Sequence, residues 1–221
     1  MGPKQWSGWL FLIYGLMIGC AAYQMAGQVQ SGRQALLINR PEDALAYFHQ
    51  VAQSNPNYIF QSENYREGIW TYVGRSQYSL GRLTEARQSL EKALSIYPDD
   101  YLARIYLGLT LMRSEKDSSG SKELASGMQG LYDWLDYMNR TMPFTAFWDP
   151  RGEIRSELEK NLNLLSGKDV DRPQLISSAE WIGQRMEEEI DLVRRDEQRQ
   201  MDRDYEWQRG RGVGIGIGIG F

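Results

Sequence analysis

A spaced set of residues that recurs along the chain constrains the fold more than any other feature of this sequence. Four positions recur with a common displacement of 42 residues, pairing Gly32 with Gly74, Ala44 with Ala86, Phe48 with Leu90 and Pro56 with Pro98. A third copy follows after 34 residues, where Leu107, Gly108 and Leu124 match Val73, Gly74 and Leu90. A displacement shared by different residue types predicts repeated units that stack on one another.

The spacing within each copy predicts two antiparallel helices, with small residues where the helices cross most closely. In the second copy we expect a first helix over 66–80 that ends at Gly81, and a second helix over 83–96 that is followed by Pro98. The first copy is separated from the second by eight extra residues within NPNYIFQSENYREG. We expect these residues to form a surface loop between two helix pairs.

The second copy carries a recognisable family pattern. Its residues are Trp70, Val73, Gly74, Gly81, Ala86, Leu90, Ala93 and Pro98. This series resembles the tetratricopeptide repeat, and the resemblance covers residues 27–139. It implies an all-α solenoid of about three helix pairs, whose first helices form a concave groove that holds peptides or segments of other proteins. A non-enzymatic scaffold is the function that this resemblance implies.

The resemblance also implies which side chains line the groove. In the three units they are Gln30, Arg33 and Leu37, then Tyr72, Arg75 and Tyr78, then Tyr106, Leu109, Met112 and Arg113. Because Arg33 and Arg75 occupy the same repeat position, an acidic or carboxylate-bearing ligand is expected, held by charge-assisted hydrogen bonds.

Residues 140–193 are expected to form a helical cap, with one helix at about 152–165 and another after Pro173. Apolar residues of the second helix recur at steps of three and four from Ile176 to Val193, so this stripe is expected to dock on the last repeat. The carboxylates from Glu187 to Asp191 fan around the helix and are interpreted as a charged face.

Beyond this cap, residues 194–211 alternate charges of both signs and predict a charged helical extension, either solvated or forming a seam for a partner helix. Residues 212–221 read GVGIGIGIGF. Two interpretations of this tail stay open: an unstructured low-complexity end, or a contact element that pairs with a sheet edge, with a copy of itself or with a lipid surface.

The amino-terminal segment indicates a membrane tether. No charged residue occurs between Trp9 and Ala22, and Lys4 precedes this run. Its length is typical of a secretory signal peptide over 1–19. The junction of Gly19 and Cys20 resembles the lipobox of bacterial lipoproteins, which implies cleavage before Cys20 and acylation of its side chain. An uncleaved single-pass anchor and a buried core helix are the alternatives. Either form of tether places the chain in a bacterial cell envelope, and as a lipoprotein it is expected to face the periplasm.

The composition argues against several classes of function. With one cysteine and one histidine the chain lacks the residues for an intrachain disulfide or a His/Cys metal site, and a net charge of -4 with interspersed signs disfavours nucleic acid as a partner. We identify no nucleophile or phosphate-binding motif and expect no cofactor. The predicted function is a membrane-tethered scaffold for proteins or peptides. The alternatives are a structural subunit or assembly factor of a larger envelope, secretion or filament complex that uses the tail, and an envelope enzyme with an unrecognised site.

Overall fold

The computed structural model describes residues 23–62, 64–114, 119–141, 148–167 and 171–211. The predicted signal peptide or anchor, Cys20 and the tail over 212–221 lie outside these residues. The elements are α1 (23–37), α2 (Pro41–Ser54), β1 (Ile59–Ser62), β2 (Tyr65–Gly68), α3 (Ile69–Ser79), α4 (Leu83–Ile96), α5 (Tyr101–Ser114), α6 (Ser119–Thr141), α7 (Glu153–Ser166) and α8 (Arg172–Arg211). Within the described ranges, no helix combines the length and the apolar character needed to cross a bilayer.

Three helix hairpins, α1–α2, α3–α4 and α5–α6, follow one another along the chain, so the all-α repeat prediction is confirmed. The recurring glycines lie where the two helices of each hairpin touch. A Cβ atom added to Gly32 would lie 2.5 Å from the ring of Phe48, and one added to Gly74 would lie 2.5 Å from Cγ of Leu90. At Gly108 the nearest atom would be the backbone nitrogen of Leu124, also at 2.5 Å. The repeated pair of a glycine and a large residue therefore sets how closely each hairpin closes.

The turns inside the first two hairpins share one geometry. Asn39 and Gly81 occupy equivalent repeat positions, and both have a positive φ, 56° and 72°. The backbone nitrogen that follows each of them reaches back to a helix carbonyl: Arg40 N donates to Ala35 O at 2.8 Å, and Arg82 N donates to Gln77 O at 2.9 Å. Such bonds satisfy carbonyls at the end of a helix and stop it from continuing.

The insertion between the first two units forms a β-hairpin, so the expectation of a simple loop was wrong. Strands β1 and β2 pair antiparallel, with Ile59 opposite Gly68. Strand β2 takes up residues that we expected in the next helix, which is why α3 begins at Ile69. Asp100 holds the β-hairpin in place. One of its carboxylate oxygens accepts hydrogen bonds from Gly68 N and Thr71 Oγ1, both at 2.7 Å, and the other accepts a hydrogen bond from Ala103 N at 2.9 Å.

Helix α7 packs between α6 and α8 and closes the carboxyl-terminal end of the repeats. Asp149 accepts hydrogen bonds from the backbone nitrogens of Ile154 and Arg155, both at 3.0 Å, and so satisfies the free amides at the start of α7. The backbone nitrogen of Asp149 in turn donates to Glu189 of α8 at 2.8 Å.

Helix α8 does not dock on the last repeat alone, as its apolar stripe had suggested. The stripe is buried as expected, with Ile182, Met186 and Ile190 fully covered. The helix however runs across α5, α3 and α1 in turn, and it contacts all three hairpins. The periodicity identified the buried stripe, but it held no information about the length of the surface that the stripe covers.

Candidate binding site

We use the term inner face for the surface of α1, α3 and α5 that contacts residues 172–194 of α8. Four groups of polar contacts mark the path of α8 across it. Arg172 donates to Met112 O of α5 at 2.9 Å, and Arg194 donates to Gln30 of α1 at 2.9 Å. Between these ends, Glu180 meets α3 and α5, and Glu187 meets α1 and α3.

Glu187 lies at the centre of a buried charge cluster. Arg33 Nε donates to Glu187 Oε1, while Arg75 Nη1 lies 2.8 Å from Glu187 Oε2 and 2.8 Å from Glu67 Oε1. Arg33 also lies 3.1 Å from Asp191, which is partly exposed. Buried ions of opposite charge persist only when they are paired and hydrogen-bonded, so the cluster binds α8 to α1 and α3 in one specific arrangement.

Burial raises the pKa of Glu67 to about 8, since the nearby Glu187 and Asp100 carboxylates add to the effect of burial and Arg75 only partly offsets it. Tyr65 also donates to Glu67, at 3.1 Å. The β-hairpin thus brings to the cluster Glu67, a carboxyl group that gains a proton near neutral pH.

We expect the free energy of unfolding to depend on pH through Glu67. Because its pKa is higher in the folded chain than the ordinary 4.5, the contribution of Glu67 to stability is complete below pH about 4.5 and is lost as the pH rises toward about 8. The slope is at most about 1.4 kcal/mol per pH unit. Urea unfolding of the wild-type chain and the Glu67→Gln variant at several pH values checks this. The variant keeps an acceptor for Arg75, and we expect it to have the flatter curve; parallel curves would contradict the assignment.

A second charged contact lies two helical turns away along α8. The Tyr78 hydroxyl and Arg113 Nη2 both donate to Oε1 of Glu180, each at 2.5 Å. The Arg113 guanidinium also lies over the Tyr78 ring, 4.5 Å from its centre. Burial and the hydrogen bond to Glu180 raise the pKa of Tyr78 well above its ordinary value, so this hydroxyl remains a donor.

A partly open cavity of about 540 Å³ lies beside α8 on the inner face. It is lined by Leu36, Leu37, Asn39, Arg75, Tyr78, Ser79, Tyr106, Arg113, Glu180, Gln184 and Glu187. All three hairpins and α8 contribute to it. Its wall combines two leucines and two tyrosines with a larger number of polar and charged side chains, among them the partly exposed Arg113.

The side chains predicted to line the groove fall into three groups. Those that line the cavity are Leu37, Arg75, Tyr78, Tyr106 and Arg113. Arg33 and Gln30 instead contact α8 directly. The remaining three, Tyr72, Leu109 and Met112, are buried within the packed helices, and Tyr72 stacks on Phe48 with ring centres 4.8 Å apart. A ligand reaches these three only if the helices rearrange.

Several residues of the site were not anticipated from the sequence. The interpretation of the Glu187–Asp191 stretch as a charged face was wrong for Glu187 and Glu189, which are each 1% exposed. The one sequence signal was the position of Glu187 directly after Met186, a member of the apolar stripe. Glu67 gave no signal, because the insertion was interpreted as a loop. Among the residues that the structure describes, no group of three His, Cys, Asp or Glu side chains is arranged to hold a metal ion.

The three stacked hairpins and their inner face define a helical-repeat scaffold. Residues 68–100, which include all of α3 and α4, match the family model described as tetratricopeptide repeat. The chain therefore contains a tetratricopeptide repeat. A comparison with curated protein sequences finds no match to the chain. Repeats of this family suggest a scaffold for protein–protein interaction and are typically non-catalytic.

Proposed function

We propose that this chain is a membrane-tethered scaffold of a bacterial cell envelope, and that it holds a segment of another protein against its inner face. The observation that carries the proposal is the cavity of about 540 Å³, because equivalent first helices of all three hairpins build its wall. Arg113, whose side chain is 39% exposed, is a cation at the cavity and is paired with Glu180, so an acidic segment would bind it by competing with Glu180.

The tether is proposed from residues outside the described part of the chain. The support is the uncharged run from Trp9 to Ala22 and the lipobox-like junction of Gly19 and Cys20. Acyl chains on Cys20 would contribute about 0.8 kcal/mol for each buried methylene group, so two or more chains would give stable anchoring. The capture experiment below begins from the membrane fraction. Recovery of the chain there tests the tether, and a Cys20→Ser variant distinguishes a lipid from an uncleaved anchor.

The test of the binding site is an affinity capture that compares two neighbouring substitutions. Leu37→Glu places a carboxylate on the cavity wall, and Ile38→Glu places the same group on an exposed side chain (62%) that does not line the cavity. We expect the Leu37→Glu chain to retain at most about a tenth of the captured partner, whereas the Ile38→Glu chain captures it as the wild type does. Mass spectrometry of the captured proteins measures both.

The same proteins captured in the same amounts by the wild-type and Leu37→Glu chains would rule out the cavity as the binding site. Arg75 is unsuitable for this test despite its position on the wall, because its removal would take away the buried guanidinium that Glu67 and Glu187 share. A loss of capture by an Arg75 variant would therefore report on stability as much as on binding.

The second half of α8 supports a second candidate function, an assembly factor or structural subunit of a larger envelope complex. Met201, Tyr205 and Trp207 are between 60% and 67% exposed, and large exposed apolar side chains on one helix are typical of contact elements. In the same capture, loss of the partner with a Tyr205→Ser substitution and its retention with Leu37→Glu would favour this candidate.

A further inference from the structure

Helix α8 occupies the inner face in the way that a bound helical peptide would. Glu180 and Glu187 are seven residues apart, which places them on the same side of the helix about 10 Å apart along its axis. Each carboxylate is received by side chains from two different repeat helices. Tyr78 and Arg113 receive the first, and Arg33 and Arg75 receive the second.

A glycine between the two glutamates allows the helices to approach each other. A Cβ atom added to Gly183 would lie 2.7 Å from Cε2 of Tyr106 and 2.9 Å from its Cζ, which is too close for any side chain without movement of the ring. The carbonyl of Gly183 also accepts a hydrogen bond from Arg75 Nη2 at 3.2 Å. The inner face is thus complementary to a helix with a carboxylate, a glycine three residues later and a second carboxylate four residues after the glycine.

The contacts of α8 do not use all the binding capacity of the inner face. Arg75 lies on α3 and bonds both Glu187 of α8 and Glu67 of the β-hairpin. Within the described residues, its Nε is nevertheless buried and has no hydrogen-bond partner. The cavity beside α8 leaves room for groups that α8 itself does not supply. An unpaired buried donor costs about 1–3 kcal/mol, so an occupant that reaches this donor gains an advantage over α8.

We propose that residues 172–193 of α8 are a built-in mimic of the partner, and that the partner is an α-helical segment with the same pattern of two glutamates and a glycine. The inference rests on the proposed function of the inner face and adds the chemistry and the regulation of binding. The partner segment binds by displacing α8 from the inner face. Because α8 is part of the same chain, its high effective concentration excludes weak ligands and sets a threshold for binding.

A synthetic peptide of residues 172–195, labelled at one end, tests the proposal with the full chain. Gly183→Ala weakens the hold of the chain's own α8 through the clash with Tyr106, and we expect this variant to bind the peptide at least about tenfold more tightly than the wild-type chain does. Ser177→Ala, on an exposed position of the same helix, should bind it as the wild type does. A peptide in which both glutamates are replaced by glutamine should bind at least about tenfold more weakly. Fluorescence anisotropy gives the affinities.

A second variant keeps the test decisive if Gly183→Ala does not fold. Glu180→Ala removes only the partly exposed contact with Tyr78 and Arg113 and leaves the buried cluster intact, and we expect it to bind the peptide about threefold more tightly than the wild type. Unchanged affinity in the folded variants, or equal binding of the glutamine peptide, would overturn the proposal.

The two proposals fail in distinguishable ways. If Leu37→Glu abolishes capture while no α8 variant binds the peptide, the inner face is a binding site that does not use displacement. If the variants bind the peptide while Leu37→Glu captures partners normally, α8 exchanges but the cellular partner binds elsewhere.

Discussion

Replacement of Arg75 by alanine is expected to lower the free energy of unfolding by about 3–5 kcal/mol, the largest effect that we predict for a single substitution. The guanidinium of Arg75 holds Glu67 at 2.8 Å and Glu187 at 2.8 Å, and both carboxylates are almost fully buried. Without Arg75, Glu67 loses its guanidinium partner and Glu187 keeps only Arg33, in a medium that solvates polar groups poorly, and the carbonyl of Gly183 loses its donor. Urea unfolding monitored by circular dichroism measures the loss.

The matched control for this prediction is Arg140→Ala. Arg140 pairs with Asp136 on the surface of α6, and its side chain is 73% exposed, so the pair is screened by water and worth about 1 kcal/mol or less. A loss of less than about 1 kcal/mol in the Arg75 variant would show that the buried cluster does not hold α8 in place.

Gly108→Ala is expected to lower the free energy of unfolding by about 2 kcal/mol, although alanine is the better helix former. The added methyl group would lie within 2.5–2.8 Å of three backbone atoms, the nitrogen and Cα of Leu124 and the carbonyl oxygen of Gly120. A backbone cannot move aside as a side chain can, so α5 and α6 must separate and lose contact along their length.

Two other glycines act as controls for the Gly108 substitution. At Gly32 the added methyl group meets side-chain atoms, those of the Phe48 ring, and no backbone atom, so we expect Gly32→Ala to cost less than Gly108→Ala. At Gly27, in the exposed part of α1, nothing lies within 4 Å, and alanine there should raise the stability by about 0.5–1 kcal/mol through helix propensity alone. Thermal unfolding of the three variants gives the order, and a Gly108→Ala chain as stable as Gly27→Ala would contradict the close crossing of α5 and α6.

The helices of the repeats could be predicted because their signals are local. The pairs of Gly74 with Leu90 and Gly81 with Pro98 lie within one helix hairpin, and the observed α4 matches the predicted bounds of 83–96. Capping, helix periodicity and close crossing all act over a few turns, so their residues recur in each unit at readable distances. The β-hairpin was missed because strands of four residues give little periodic signal. Gly68, the pairing partner of Ile59, is also held by a hydrogen bond to Asp100, which lies beyond α4 in the sequence.

The partners of the two repeated arginines were beyond the reach of such reasoning. The sequence correctly indicated that Arg33 and Arg75 share a repeat position, and from this a carboxylate ligand was predicted. Glu187 contacts Arg33 from 154 residues away along the chain. No local sequence pattern specifies a contact over this separation in sequence. The contact depends on where α6 and α7 end and therefore on where α8 begins to run back across the repeats.

By itself the sequence determined a solenoid of helix hairpins with close glycine crossings and a carboxyl-terminal helix with one apolar stripe. Only the tertiary structure decided that this stripe covers the inner face, that Glu67, Arg33, Arg75 and Glu187 meet in one buried cluster, and that a cavity remains beside them. The physical reason is that helix formation and hairpin closure depend on neighbouring residues. The docking of α8 on the inner face depends instead on the total free energy of apolar burial and charge pairing over that whole surface. Residues far apart in the chain contribute to this total.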